Sequence, residues 1–370
     1  MERDEEGFEY PKIDKKNCVA CGKCDAVCPS LNFVEKIFDK VPAVYFAINT
    51  DEKIRRRSSS GGVFSALSKI ILDDGGIVFG AGFDENFRVR HISAENLDEL
   101  EKLRGSKYVQ SRIGKVFKQI KKNLNRGRKV LFSGTACQCV VLKNFLGKDF
   151  ENLLTVDVFC HGVPSPMLWE SYIDWHAKFH EISHVNFRSK HLGWADSHIQ
   201  ITFKDCPYHL RPFFQDFYIQ EFLLNLILRP SCCDCKFKYP NLESDLSIGD
   251  AWGVQNYAPQ LFDNRGISQI VVHTEKAVEI LNKCGLLSQP APFEMLWTSN
   301  SQFLVPVIED PRRKDFFADL KEIDNPVAVM QKYFLEDFSQ IAELEGQKTQ
   351  QLLQEKFQRF SERQKNFVIS

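Results

Sequence analysis

Cys18, Cys21, Cys24 and Cys28 are spaced C-x2-C-x2-C-x3-C and are followed by Pro29. Thiolates at this spacing are the ligand run of a bacterial-type 4Fe-4S cluster. Gly22 helps the loop turn tightly enough for three of them to reach one face of the cluster. In two-cluster ferredoxins the fourth Cys of such a run serves the other cluster. A zinc knuckle would instead require two separated pairs of ligands.

A second complete run is missing. The other cysteines are Cys137, Cys139, Cys160, Cys206, Cys232, Cys233, Cys235 and Cys284. Cys232 and Cys235 form a C-x2-C pair, which suits a metal, a second cluster or a redox dithiol; surface thiols in a loop are the plainer alternative. Cys137, Cys160, Cys232 and Cys235 would complete a second set of four. Cys139, Cys206, Cys233 and Cys284 would then be ordinary thiols.

Two further segments offer chemistry. Arg55, Arg56 and Arg57 precede Ser58, Ser59, Ser60, Gly61 and Gly62, and an apolar-periodic run follows. Serines cap helix starts, and a helix start with glycines binds phosphate through its free N–H groups. The pattern fits a pyrophosphate cradle and equally a well-capped helix behind a solvated basic run. The loop from Gly105 to Ser111 carries Lys107 and Tyr108. It reads as a holder for an anion or a ring, or as a plain connection between helices.

The elements that must position these residues are partly legible. Lys129–Ser133 reads as a strand, Ala136–Phe145 as a helix and Leu153–Phe159 as a second strand. Such a unit makes parallel strands with a right-handed crossover. Gly134 and Thr135 should therefore share the C-terminal sheet edge with Cys160 and His161, and ligands of open α/β sheets bind there. Cys137 falls in the first turn of the helix, where the dipole favours a thiolate. Cys137 and Cys160 are expected to be spatial neighbours. His161 is a candidate acid or base, or a loop histidine that holds backbone carbonyls. The segment Ser244–Gly253 predicts a strand entering a tight turn that carries Asp250, a partner for a polar ring atom of a cofactor or for nearby backbone. Strands are also expected at Gly76–Phe83, His184–Arg188, His198–Phe203 and Gly266–His273. Helices are expected at Asn96–Arg104, Ile113–Arg126, Pro212 to about Leu228, and Glu275–Cys284.

The predicted class is α/β with mixed α+β character: an open mixed sheet with flanking helices, preceded by a small ferredoxin-like 4Fe-4S segment. The division expected is 1–45 for that segment, 46–127 and 128–323 for the two parts of the main body, and 324–370 for a peripheral helical tail. The composition is ordinary for a globular chain, with 43% hydrophobic and 26% charged residues in 370. Lys and Arg total 48 and Asp and Glu 49, so the net charge is −1, unlike the basic balance of nucleic-acid proteins. The best apolar run, Phe222–Leu228, falls far short of the roughly 18 residues of a membrane span. The acidic start lacks the apolar core of a signal peptide. A cytoplasmic chain is expected, where stable disulfides are disfavoured. The 31 phenylalanines are read first as core packing.

The pieces CVACGKCDAVCP, SSSGGVFSAL, RGSKYVQS, GTACQ, FCHGVPSP, LRPSCCDCKF and SDLSIGDAWG occur in this order over about residues 18–275. In them the chain resembles the beta-subunit family of coenzyme F420 hydrogenases and dehydrogenases, in a short bacterial-type version. The resemblance implies FAD, one or more 4Fe-4S clusters, and hydride exchange with coenzyme F420 or another small organic partner. Relatives include 7-hydroxymethyl chlorophyll a reductase, which takes electrons from ferredoxin. The flavin contacts implied are Ser60, Gly61, Gly62, Lys107, Tyr108 and the stretch Gly134, Thr135 to Gln138. The cluster ligands implied are Cys18, Cys21, Cys24 and Cys28, with Cys137, Cys160, Cys232 and Cys235 for a second. Cys139 and Cys233 stand where the family pattern has no expected cysteine. The function expected is a relay between ferredoxin or a redox partner subunit and FAD, with Lys107 and His161 stabilising charge or delivering protons. The alternatives are an electron-transfer subunit without a substrate of its own and a zinc-stabilised binding protein.

Overall fold

The computed structural model describes residues 1–36, 41–337, 346–356 and 358. Parts of the expected tail, at 338–345, 357 and 359–370, lie outside the described residues. The chain opens with a small antiparallel ribbon, β1 (Glu2–Arg3) with β2 (Glu9–Tyr10), and the cysteine run follows with α1 (Lys23–Val27). Then come β3 (Ala43–Asn49), α2 (Glu52–Arg57), α3 (Val63–Asp73), β4 (Ile77–Phe83), β5 (Val89–Ala94), α4 (Leu97–Leu100) and α5 (Val116–Asn125). The second half holds β6 (Val130–Gly134), α6 (Ala136–Leu146), β7 (Leu153–Val158), α7 (Pro166–His176), β8 (Ile182–Ser189), β9 (His198–Phe203) and β10 (His209–Pro212). After it come α8 (Phe217–Leu223), α9 (Pro230–Cys233), β11 (Leu246–Asp250), β12 (Ser268–Val272), α10 (Glu275–Leu281) and β13 (Leu286–Pro290). The helices α11 (Met295–Ser299), α12 (Arg313–Glu322) and α13 (Pro326–Tyr333) close this part of the chain.

Eight strands form one mixed sheet in the order β13-β3-β12-β11-β7-β6-β4-β5. Its middle is parallel, β11 with β7, β7 with β6 and β6 with β4, and antiparallel pairs flank it. This is the open mixed sheet with flanking helices that the sequence predicts. Both faces are covered, and alternate residues of each strand serve opposite faces. Val78 and Leu131 pack with Leu67 and Ile71 of α3 on one side. Phe79, Val130 and Phe132 pack with Ile120 of α5 and Leu142 of α6 on the other. A second sheet, β10-β9-β8, is antiparallel and shares a core with α7, α8, α12 and α13 around Trp169, Tyr172, Phe187 and Tyr218.

The strand–helix–strand expectation holds, with β6 and β7 parallel and Gly134 beside Asp157. The long helix over Pro212–Leu228 does not form. Only α8 does, capped by Asp216, whose side chain accepts from the Ile219 N–H at 3.1 Å. Asn225 takes a left-handed backbone (φ 63°) and ends it. Leu226, Ile227 and Leu228 are fully buried and run beside residues 163–165, with the Ser165 N–H donating to Ile227 O and the Arg229 N–H to Val163 O. The apolar run is thus a buried connection rather than a helical face. The patterns did not mark β3, β5, β10, β13 or α7. β13 is a mostly exposed edge strand with no apolar alternation to reveal it.

Candidate functional site

A cavity of about 940 Å³ opens at the C-terminal edge of the parallel strands, at the large end of the roughly 300–1,000 Å³ of small-molecule sites. Its wall includes Gly134 after β6, Cys160 and His161 after β7, and Asp250 at the end of β11. The start of α3 enters from one side and the loop carrying Lys107 and Tyr108 from another.

The serines before α3 do not cap it. Gly62 (φ 87°) is the N-cap residue, and no side chain caps the helix. The Ser58 hydroxyl donates to Ile54 O at 2.8 Å and that of Ser60 to Ile267 O at 2.6 Å. Ser59 accepts from the Ser106 N–H at 2.8 Å, which joins the two loops of the cavity wall. Gly61 serves packing: a Cβ there would lie 2.3 Å from Ala47 O and 2.6 Å from Ser268 N. Its N–H already donates to Ser268 Oγ at 2.9 Å. The first-turn amides of α3 have no intrahelical acceptors and no side-chain cap.

Lys107 lines the cavity, but its ammonium donates to Leu103 O at 3.0 Å and Arg104 O at 2.9 Å, and more weakly to Lys102 O. Burial lowers its pKa to about 7. The Tyr108 ring stacks on Phe222 at 4.7 Å, and its hydroxyl accepts from Arg188 at 3.3 Å. Thr135 and Gln138 close a capping box at the start of α6, with the Thr135 N–H donating to Gln138 Oε1 at 3.0 Å. The Asp250 carboxylate is engaged by Arg188 at 2.7 Å and by the Trp194 indole N–H at 2.7 Å. Both partners are side chains. His161 is half-buried at the cavity wall; desolvation, then the Lys238 charge, lowers its pKa to about 4. Among the described residues its Nε2 has no hydrogen-bond partner.

Several residues of the wall escaped sequence reading. Arg188 is buried against Asp250 and stands over the Trp252 ring at 5.2 Å. Lys190 donates to Ser60 O at 2.7 Å and pins the loop before α3. His91 lies between Ser111 Oγ at 2.8 Å and Ser133 O at 3.1 Å. No local motif marks them, because each partner is distant in sequence.

The structure gathers four of the scattered cysteines. Cys137 opens α6, Cys160 follows β7, and Cys232 lies in α9 with Cys235 just beyond it. The break at Asn225 and the run beside residues 163–165 carry α9 to the Cys160 loop. Each of the four thiols interacts electrostatically with the other three. Burial raises the Cys137 thiol despite its place at a helix start, so the dipole does not win there. It pushes Cys160 well up and Cys232 to about 12. Arg229 pulls Cys137 down, and Lys238 does the same for Cys160 and Cys232. Among the described residues, the set of three His, Cys, Asp or Glu donors mutually within 4.8 Å is His180, Asp205 and Cys206. The four gathered thiols stand wider than that. Cys139 is buried in the core between α5 and α6.

Cys18, Cys21 and Cys24 are exposed and Cys28 half-buried. Their segment packs inward. α1 lies against α6, the Phe33 ring meets Phe237 edge-on at 6.0 Å, and the Lys36 N–H donates to Asn241 Oδ1 at 2.7 Å. The N-terminal run therefore borders both the helix bearing Cys137 and the segment that follows Cys235.

Comparison with protein families matches residues 44–118 to the N-terminal part, and residues 127–286 to the C-terminal part, of the coenzyme F420 hydrogenase/dehydrogenase beta subunit. The chain belongs to this family. At that level it is an oxidoreductase-family protein, and its cysteine content is consistent with iron–sulfur binding. The family member is similar to a chain of the F420-reducing NiFe hydrogenase complex from Methanosarcina barkeri, studied by xenon derivatization. Identity is 20% and the TM-score 0.48, over 80% of this chain and 95% of that one. No curated protein matches it. Among the described residues no helix is long and apolar enough to cross a membrane.

Proposed function

We propose that this family member is an iron–sulfur flavoprotein oxidoreductase. It relays electrons between ferredoxin or a redox partner subunit and FAD, with hydride transfer to or from coenzyme F420 or another organic acceptor. One observation carries this reading: Cys160 belongs both to the four-thiol set and to the cavity wall. A metal centre held by those thiols would border whatever the cavity binds.

The residues fit the groups invoked. Four thiols on one zinc ion, at a Zn–S distance of about 2.3 Å, would stand only about 3.8 Å apart. The wider set suits the several irons of a cluster better than a single ion. The cavity offers a flavin a helix start with open amides, aromatic walls and the orphaned His161 Nε2. A flavin bound there supplies the exchange between single electrons and a hydride, which iron–sulfur centres alone do not provide.

The chain's own residues then have defined tasks. Cys18, Cys21, Cys24 and Cys28 would hold an outer cluster, and Cys137, Cys160, Cys232 and Cys235 an inner one. The loop Ser58–Gly62 and the first turn of α3 would hold the pyrophosphate. Lys107 fixes the loop from residue 102 to 107 through its carbonyl bonds. His161, neutral at physiological pH and part of the cavity wall, would supply a hydrogen bond or a proton.

The test is an anaerobic absorbance spectrum of the purified chain, with iron and flavin quantified on the same sample. The expected result is one FAD and about eight irons per chain. About four irons would return the inner cysteines to ordinary thiols. Iron without flavin would remove the cavity assignment.

A further inference from the structure

Lys238 lies three residues beyond the C-x2-C pair and is only 6% exposed. Its ammonium donates to Cys160 O at 2.6 Å and Gln302 O at 2.6 Å, both neutral carbonyls. The acidic group that feels its charge, Asp157, is itself pushed up to about 7, chiefly by burial. Arg229 is a second cation at the same place. Its guanidinium lies 4.1 Å above the Tyr10 ring, and among the described residues its buried Nε has no hydrogen-bond partner. A buried cation without an anion is costly. Both cations act on the gathered thiols, Lys238 on Cys160 and Cys232 and Arg229 on Cys137. The field of Lys238 also reaches His161 at the cavity wall.

We infer that Lys238, assisted by Arg229, is the counter-charge that holds and tunes a cluster bound by Cys137, Cys160, Cys232 and Cys235. This rests on the inner four-thiolate cluster proposed above. A cluster on four thiolates is anionic, and each electron it accepts makes it more so. A cation fixed against a ligand carbonyl therefore favours the reduced form and raises the potential, because charge and hydrogen bonding near the sulfurs set that potential. The transfer is a one-electron exchange without a proton: the N-terminal set gives up one electron and the inner set gains it. Lys238 draws that electron inward, toward the cavity. It is a positioning residue, acting through the cluster and not on the substrate.

The test compares Lys238→Met, which keeps the length and loses the charge, with Lys238→Arg in the full chain. Iron is counted, and an anaerobic redox titration is followed by EPR. In Lys238→Met one cluster should become harder to reduce by at least tenfold in its equilibrium, about 59 mV for one electron. The other cluster should not move, and Lys238→Arg should restore the wild-type value. Loss of about four irons in Lys238→Met alone, with Lys238→Arg intact, also supports a charge that holds the cluster. Full iron with an unmoved potential in Lys238→Met overturns the inference, as does equal iron loss in both variants. About four irons in the wild-type chain overturns the inner cluster, and this inference with it.

Discussion

His161 is neutral at physiological pH because burial, more than the neighbouring Lys238 charge, depresses its imidazolium pKa to about 4. The role proposed for it is to accept or share a proton at the cavity without carrying charge, and among the described residues its buried Nε2 has no hydrogen-bond partner. Lys107 lines the same cavity but has donated its protons to loop carbonyls. Asp250 is spent on Arg188 and Trp194. His161→Ala should lower turnover by about 100-fold, in the range of general acid–base effects, with FAD and iron retained. Loss of FAD instead would make His161 a cofactor-binding residue. Both readings of His161 were open in the sequence, because its surroundings come from α8 and from Lys238, each more than 50 positions away. The cysteines were legible because their chemistry lies in residue type and spacing.

At the scale of elements, the loop between α2 and α3 shows how packing prepares a binding surface. Gly61 is pressed against Ala47 O of β3 and Ser268 N of β12, where a Cβ would overlap backbone. Gly61→Ala should destabilise the fold by about 1–3 kcal/mol, as overpacking does, and should weaken flavin binding by displacing the start of α3. Gly105→Ala is the comparison, since its Cβ meets nothing within 4 Å and only its φ of 86° opposes the change. It should cost about 1–2 kcal/mol, the left-handed backbone penalty of a residue with a Cβ. Urea unfolding of the two variants checks this, and a Gly61→Ala midpoint equal to that of the wild type would refute the packing argument. The strand–helix–strand unit was readable because β6 and β7 are both rich in apolar and β-branched residues and are separated by a capped helix. The edge strand β13 was not, since its residues are mostly exposed. The Pro212–Leu228 segment misled because its leucines and isoleucine after Asn225 suit a buried connection as well as a helix. That misreading matters for the site: the left-handed Asn225 sends Cys232 and Cys235 toward Cys160.

At the scale of the whole molecule, three regions are arranged in series. The exposed N-terminal cysteines lie on a segment packed against α6 and the stretch after Cys235. The four gathered thiols come next, and the cavity borders them through Cys160. Three of the outer cysteines are exposed, while the inner four are half-buried. The order of the chain in space is the order of electron flow proposed, and the central claim is that electrons must pass the inner thiols. The measurement that tests it most directly is anaerobic flavin reduction by reduced ferredoxin, in the wild-type chain and in the Cys232→Ser/Cys235→Ser variant. The variant should lose about half its iron, keep its FAD, and reduce that FAD from ferredoxin at a small fraction of the wild-type rate. Direct reduction of the flavin by a small hydride donor should be unchanged. Flavin reduction from ferredoxin as fast as in the wild type would contradict the account.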